Sequence, residues 1–170
     1  MTGRSSEAGA REPEAGLTGL QRLQVRVLHT YFRFARGLTL GVRAAVLNGA
    51  GEVFLIRHPY TPGWQLPGGG VEAGETVGEA LAKELREEAC IRLTGPAVLH
   101  GIFFNRKVSR RDHVALYVVR DFVVDEVKKP DMEIAEARFF PLAALPDGVT
   151  PATRRRLAEI AGDATQSGDW

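Results

Sequence analysis

The chain predicts an α/β domain. Short runs of Val, Ile, Leu and Phe, bounded by Gly and Pro, read as strands, and a charged amphipathic helix falls among them. The 170 residues are 44% hydrophobic and 25% charged, enough for one packed core and ordinary for a soluble protein.

Residues 1–16 are small and charged without periodicity and read as a disordered tail. In 17–35, Leu17, Leu20, Leu23, Val27, Tyr31 and Phe34 recur at steps of three and four, which predicts an additional N-terminal amphipathic helix. Arg22, Arg26, Arg33 and Arg36 decorate it, and Phe32 lies off its apolar stripe, as in a partner surface. The domain proper is expected over 36–162. Strands are expected at 38–47 and 52–58, joined as a hairpin by Asn48-Gly49-Ala50-Gly51. A Gly/Pro-rich loop over 59–76 precedes a helix at 77–89. Further strands are expected at 97–105, 113–124 and 138–140, and a last helix at 152–160 has Pro151 in its first turn. Residues 163–170 read as a polar tail.

Composition narrows the function. Lys and Arg number 22 against 21 Asp and Glu, a balance of +1 that does not suit a general nucleic-acid binder. No run approaches the length of a membrane span. The single cysteine, Cys90, can form no intrachain disulfide, and no Cys/His cluster suits zinc. The start of the chain carries charges of both signs without a long apolar stretch, unlike a secretory leader, so a cytoplasmic location is expected.

The informative segment is Gly68-Gly69-Gly70-Val71-Glu72-Ala73-Gly74-Glu75 and the helix after it. With Val77 at 0° and about 100° per residue, Leu81 and Leu85 define the buried stripe. Glu88 falls at about 20°, inside that stripe, with Glu84 at about 340° and Glu87 at about 280° beside it. Like charges at this spacing repel, and burying them is costly. A divalent cation with hard oxygen ligands, Mg²⁺ or Mn²⁺, would compensate. A solvated helix with Lys83 paired to Glu79 and Glu87 is the alternative.

The stretch 69–91 resembles the Nudix hydrolase signature: Gly, five residues, Glu, seven residues, Arg-Glu, an aliphatic, any residue, Glu-Glu, any residue, Gly, an aliphatic. Gly69, Glu75, Glu84, Leu85, Glu87, Glu88 and Ile91 match, while Lys83 replaces the usual Arg and Cys90 the usual Gly. Trp64-Gln65-Leu66-Pro67-Gly68 also looks like the family's approach to the signature.

The resemblance implies an α/β/α sandwich around a mixed β-sheet. It also implies cleavage of a phosphoanhydride in a nucleoside diphosphate linked to another group, by attack of water. Carried over by position, Glu84, Glu87 and Glu88 would hold Mg²⁺ or Mn²⁺, Glu87 and Glu88 most firmly, and Glu84 or an acid from a later loop would act as base. Glu75 would hold the loop–helix unit, and Lys83 would orient carboxylates without the planar fork of Arg. Glu133 is the expected later acid near the metals and Glu136 the alternate. Cys90 in a left-handed helix end would cost about 1 kcal/mol.

Gly69 and Gly70 are expected near phosphate, as are Arg57 and the basic turn containing Arg106, Lys107, Arg110 and Arg111. One of Phe103 and Phe104 should be core, Trp64 should anchor the glycine loop, and His58 lies near the cleft. The substrate is expected to be a small nucleotide, either a nucleoside triphosphate or a nucleoside diphosphate derivative. Hydrolysis of 5′-triphosphate RNA ends and a non-catalytic nucleotide-binding or interaction module are the alternatives, and a homodimer is an expected assembly.

Overall fold

The computed structural model describes residues 27–28 and 37–170. Apart from Val27 and Leu28, which are helical and exposed, the expected tail 1–16 and helix 17–35 lie outside the described residues. Residues Leu38–Trp170 form one compact unit.

Its elements are β1 (Thr39–Val46), β2 (Glu52–Arg57), α1 (Val77–Ala89), β3 (Ile91–Leu93), β4 (Val98–Phe104), β5 (Asp112–Val119), β6 (Phe122–Val124), β7 (Glu136–Pro141), a 3₁₀ turn (Leu142–Ala144) and α2 (Pro151–Ala161). The central sheet has the order β1-β5-β4, with β1 and β5 parallel and β5 and β4 antiparallel. β2 pairs antiparallel with β7, and β3 with β6.

The first two strands do not form the expected hairpin. Asn48–Gly51 does form a turn, in which the Asn48 carboxamide oxygen accepts from the Ala50 and Glu52 N–H groups at 3.0 Å. β1 and β2 nevertheless form no ladder with each other; a single Leu47–Val53 bridge, just past the end of β1, joins them. The second half of β1 and the middle of β2 are buried on both faces, so each is covered by remote partners instead of leaving a face to water. Val42, Ala44 and Val46 of β1, with Phe54 and Ile56 of β2, enter a core closed by Leu81, Leu85 and Ala89 of α1. The alternate residues Ala45, Leu47, Val53 and Leu55 enter a second core with Phe103, Leu116 and Leu157 of α2. The two helices therefore close cores formed by opposite faces of β1.

The expected strand 113–124 is two strands, β5 and β6, broken at Arg120-Asp121. β3 is short, three residues, and has no periodicity to reveal it. The expected tail 163–170 is folded onto the sheet: Phe104 N–H donates to the Gly168 carbonyl at 2.9 Å and Trp170 N–H to the Phe104 carbonyl at 3.0 Å. Trp170 packs against the second core, and the segment covers part of the β4 edge. No helix among the described residues is long and apolar enough to cross a membrane.

The ends of α1 set the site. Thr76 caps its start in a reciprocal box with Glu79. Its C-cap, Cys90, has φ 53° and ψ 35°, the left-handed conformation expected if the usual glycine geometry is kept. Cys90→Gly is therefore expected to stabilise the domain by about 1 kcal/mol, read as a higher midpoint in urea unfolding. An unchanged or lower midpoint would contradict the strain assigned to this residue.

Candidate active site

The glycine loop lies alongside β1 as if it were another strand. Ala44 N–H donates to the Pro67 carbonyl at 2.9 Å, Val42 N–H to the Gly69 carbonyl at 2.8 Å, and Val71 N–H to the Leu40 carbonyl at 2.9 Å. Gly70 bridges Gly41. The approach is possible because residue 68 has no side chain. Gly68 has φ 141°, and a Cβ there would overlap the Val42 carbonyl oxygen and stand 2.9 Å from Arg43 Cα. Gly69 lies directly under the Glu84 carboxylate, where a Cβ would stand 2.6 Å from the carboxyl carbon.

The three helix carboxylates are graded as their angles predict. Glu88 is buried, at 6% exposure, Glu84 is half-buried and Glu87 is exposed. The Gly68 N–H donates to Glu88 Oε2 at 2.6 Å. Burial nevertheless pushes the Glu88 carboxyl up to about 7, with Gly68 and Arg43 opposing and Glu84 and Glu133 reinforcing. Burial also raises Glu84, which Lys83 and Arg43 oppose and Glu87 and Glu133 reinforce.

Arg43, in the middle of β1, is the cation that the sequence reading missed. Its Nη1 donates to the Leu66 carbonyl at 2.8 Å, and burial lowers its pKa against the pull of Glu88 and Glu84. An Arg between Val42 and Ala44 in an apolar strand was the available signal, since a cation there needs buried acids.

Glu75 and Lys83 tie the loop to the helix. Lys83 Nζ lies 3.3 Å from Glu75, and Glu75 Oε2 also accepts from the Glu72 N–H at 3.0 Å. The Glu72 N–H and then Lys83 hold the Glu75 carboxyl below the usual range. Lys83 thus takes Glu75, rather than Glu79 or Glu87, as its partner.

Glu133 is the later acid within electrostatic reach of Glu84 and Glu88. Its loop is folded around Asp131, whose Oδ1 accepts from the Glu133 and Ile134 N–H groups at 2.8 and 2.7 Å. Lys128 Nζ donates to Asp131 and to the Glu87 carbonyl, both at 2.6 Å, fastening the loop to α1. Lys128 and the two N–H groups hold the Asp131 carboxyl at about 2. The other fastening is His58, whose Nδ1–H donates to the Glu133 carbonyl at 2.7 Å while Nε2 stands 3.7 Å from Glu88 Oε1. Glu136, the alternate, is instead paired with Arg57.

The basic residues expected near phosphate have different surroundings from one another. Arg57 is partly engaged: it pairs with Glu136 and stacks over Trp64 at 5.6 Å. Arg106 is drawn to the C-terminal segment, 3.5 Å from Asp169 and over the Phe104 ring. Arg110 is exposed on the same turn. Phe103 is the buried member of its pair, and Trp64 packs edge-on to Phe140 at 4.7 Å.

Among the described residues, no three acidic, histidine or cysteine side chains form a finished cation cage. The donor chemistry of Glu84, Glu88 and Glu133 fits a hard divalent cation: oxygen ligands only, mutually repelling, two of them raised by burial. Such a charge would relieve both burial and repulsion.

Loop, helix and carboxylates together define a Nudix-type domain. The model of the NUDIX domain matches residues 37–160, and the chain belongs to that family. It is 32% identical over 105 residues to an ADP-ribose pyrophosphatase of Methanocaldococcus jannaschii, covering 59% of this chain and 61% of that protein. It is 26% identical over 147 residues to the human 8-oxo-dGDP phosphatase NUDT18, covering 79% of this chain and 42% of that protein. The chain thus spans less than two thirds of the length of these curated relatives. The crystal structure of a MutT NUDIX hydrolase from Burkholderia pseudomallei superimposes with a TM-score of 0.62 at 28% identity, covering 72% of this chain and 97% of that one.

Proposed function

We propose that this chain hydrolyses a phosphoanhydride bond in a small nucleotide, a nucleoside triphosphate or a nucleoside diphosphate linked to another group, with Mg²⁺ or Mn²⁺ held by Glu84, Glu88 and Glu133. The observation that carries this reading is the junction of glycine loop and helix: two carboxylates drawn out of water, Glu88 on the Gly68 N–H and Glu84 on bare Gly69 backbone, with Arg43 beside them. A stable fold gains nothing from such a cluster by itself.

The bound cation would neutralise phosphate oxygens and acidify water. Arg43 supplies a fixed positive charge beside the two glutamates, suited to a phosphate group. Glu84, half-buried with a raised proton affinity, is the carboxylate suited to accept a proton from water. Glu75 and Lys83 hold the loop against the helix, so these groups do not drift apart. Exposed Glu87 adds negative charge beside Glu84 and supports a cation from the solvent side.

The near-neutral charge balance favours a small substrate over a long polyanion. The names of the ADP-ribose and 8-oxo-dGDP relatives support nucleoside diphosphate derivatives. The test is product analysis with the full chain and Mg²⁺ or Mn²⁺. The panel holds nucleoside triphosphates, ADP-ribose, nucleotide sugars, dinucleoside polyphosphates and triphosphate RNA, with Glu84→Gln as control. Metal-dependent cleavage of one nucleotide class, reduced about a hundredfold or more in Glu84→Gln, is expected. Cleavage indifferent to metal or to Glu84 would overturn the reading.

A further inference from the structure

The loop after β2 carries an aromatic side chain that the site described so far does not use. Tyr60 is 70% exposed, yet its ring is not adrift. It stacks on the His58 imidazole at 5.2 Å with 29° between the planes. His58 is fixed in turn by the Glu133 carbonyl and reaches Glu88. Pro59 and Pro62 flank Tyr60 and restrict the backbone that presents it. A cavity of about 470 Å³ runs along this loop, bounded by Arg57, His58, Tyr60, Thr61, Gly63 and Ala135. Tyr60 also lies within electrostatic reach of Arg43. One histidine therefore joins an aromatic face to the carboxylate cluster.

We propose that Tyr60, backed by His58, is the platform on which the nucleobase of the substrate stacks, while the phosphates lie toward Arg43, Glu84 and Glu88. The proposal deepens the hydrolase reading and rests on it for the position of the phosphates. Stacking uses the flat face that every base has, and a base on an aromatic side chain is worth about 1–3 kcal/mol. Arg57, the cavity's charged group, is already paired with Glu136. Recognition here therefore reads ring area more than hydrogen-bonding edge. Purines should bind better than pyrimidines, and several purine nucleotides should be accepted.

Calorimetric titration of the full chain in Mg²⁺ buffer with AMP, UMP and ribose 5-phosphate tests this without requiring turnover. The wild type is expected to bind AMP more tightly than UMP, and UMP more tightly than ribose 5-phosphate. Tyr60→Leu, which keeps bulk but not the ring, should weaken AMP by about 5- to 150-fold and leave ribose 5-phosphate unchanged. Tyr60→Trp should keep AMP binding. The proposal is overturned if wild-type AMP affinity does not exceed that of ribose 5-phosphate, if Tyr60→Leu weakens both alike or neither, or if Tyr60→Trp behaves as Tyr60→Leu does. The hydrolase reading fails separately. Tyr60-dependent AMP binding with no cleavage of any nucleotide would keep the platform and remove the enzyme.

Discussion

Glu88→Gln is expected to make the metal-free protein more stable and the metal-loaded protein inactive. In the folded chain burial lifts this carboxyl to about 7, above the usual carboxylate range. The folded state then holds a proton that the unfolded state has lost between about pH 4 and 7. Stability of the metal-free wild type therefore falls as pH rises through that window, and stays low above it. The shift corresponds to a loss on the order of 3 kcal/mol. Gln keeps the shape and still accepts from the Gly68 N–H, but it carries no charge to bury. Thermal melts in EDTA at pH 8 should show the variant several degrees above wild type, with the difference vanishing near pH 4. Mg²⁺ should raise the wild-type midpoint and leave the variant's nearly unchanged. Turnover should fall by about a hundredfold or more, since lesser groups around metal ligands already cost 10- to 100-fold. A variant less stable than wild type at pH 8 would mean that Glu88 is a structural hydrogen-bond acceptor and nothing more.

Gly68→Ala and Gly69→Ala should separate folding from chemistry at adjacent residues. At Gly68 the obstruction is backbone: a new Cβ would overlap the Val42 carbonyl oxygen of the central strand, at a φ of 141° that side chains rarely adopt. Neither the strand nor the loop can move without breaking the hydrogen bonds from Val42 and Ala44. A loss of about 3 kcal/mol or more is expected, seen as insolubility or a collapsed unfolding midpoint. At Gly69 the obstruction is the Glu84 carboxylate, which can swing aside. Gly69→Ala should stay folded, with kcat reduced and the midpoint near wild type. Equal stability of the two variants would contradict the packing assigned to Gly68.

Local rules made the carboxylate helix legible in the sequence. Its bounds and the ranking of Glu88, Glu84 and Glu87 by burial follow from apolar spacing alone. The left-handed Cys90 was readable only through the resemblance, which puts a helix-ending Gly at that position. The failures were non-local. The partners of β1 and β2 are β5 and β7, many residues away, and an adjacent turn gives no hint of them. Arg43 stands out between Val42 and Ala44, but its partners appear only when the glycine loop is laid beside β1. Residues 163–170 are polar in composition, yet the backbone groups of Gly168 and Trp170 pair with Phe104, and backbone pairing leaves no mark on side-chain pattern. Tyr60 is positioned by His58 and Glu133, which meet only in the folded chain.

If the carboxylates of α1 and the Glu133 loop hold a divalent cation, Mn²⁺ binding followed by electron paramagnetic resonance will depend on them. Titrations of wild type, Glu84→Gln and Glu88→Gln at pH 6 and pH 8 compare the same oxygens charged and neutral. Wild type should bind Mn²⁺ more tightly at pH 8, because below about 7 the cation must displace the Glu88 proton. Both variants should bind far more weakly, and Glu88→Gln should lose most of the pH dependence. Equal Mn²⁺ affinity in all three proteins would place the cation elsewhere and remove these carboxylates as its ligands.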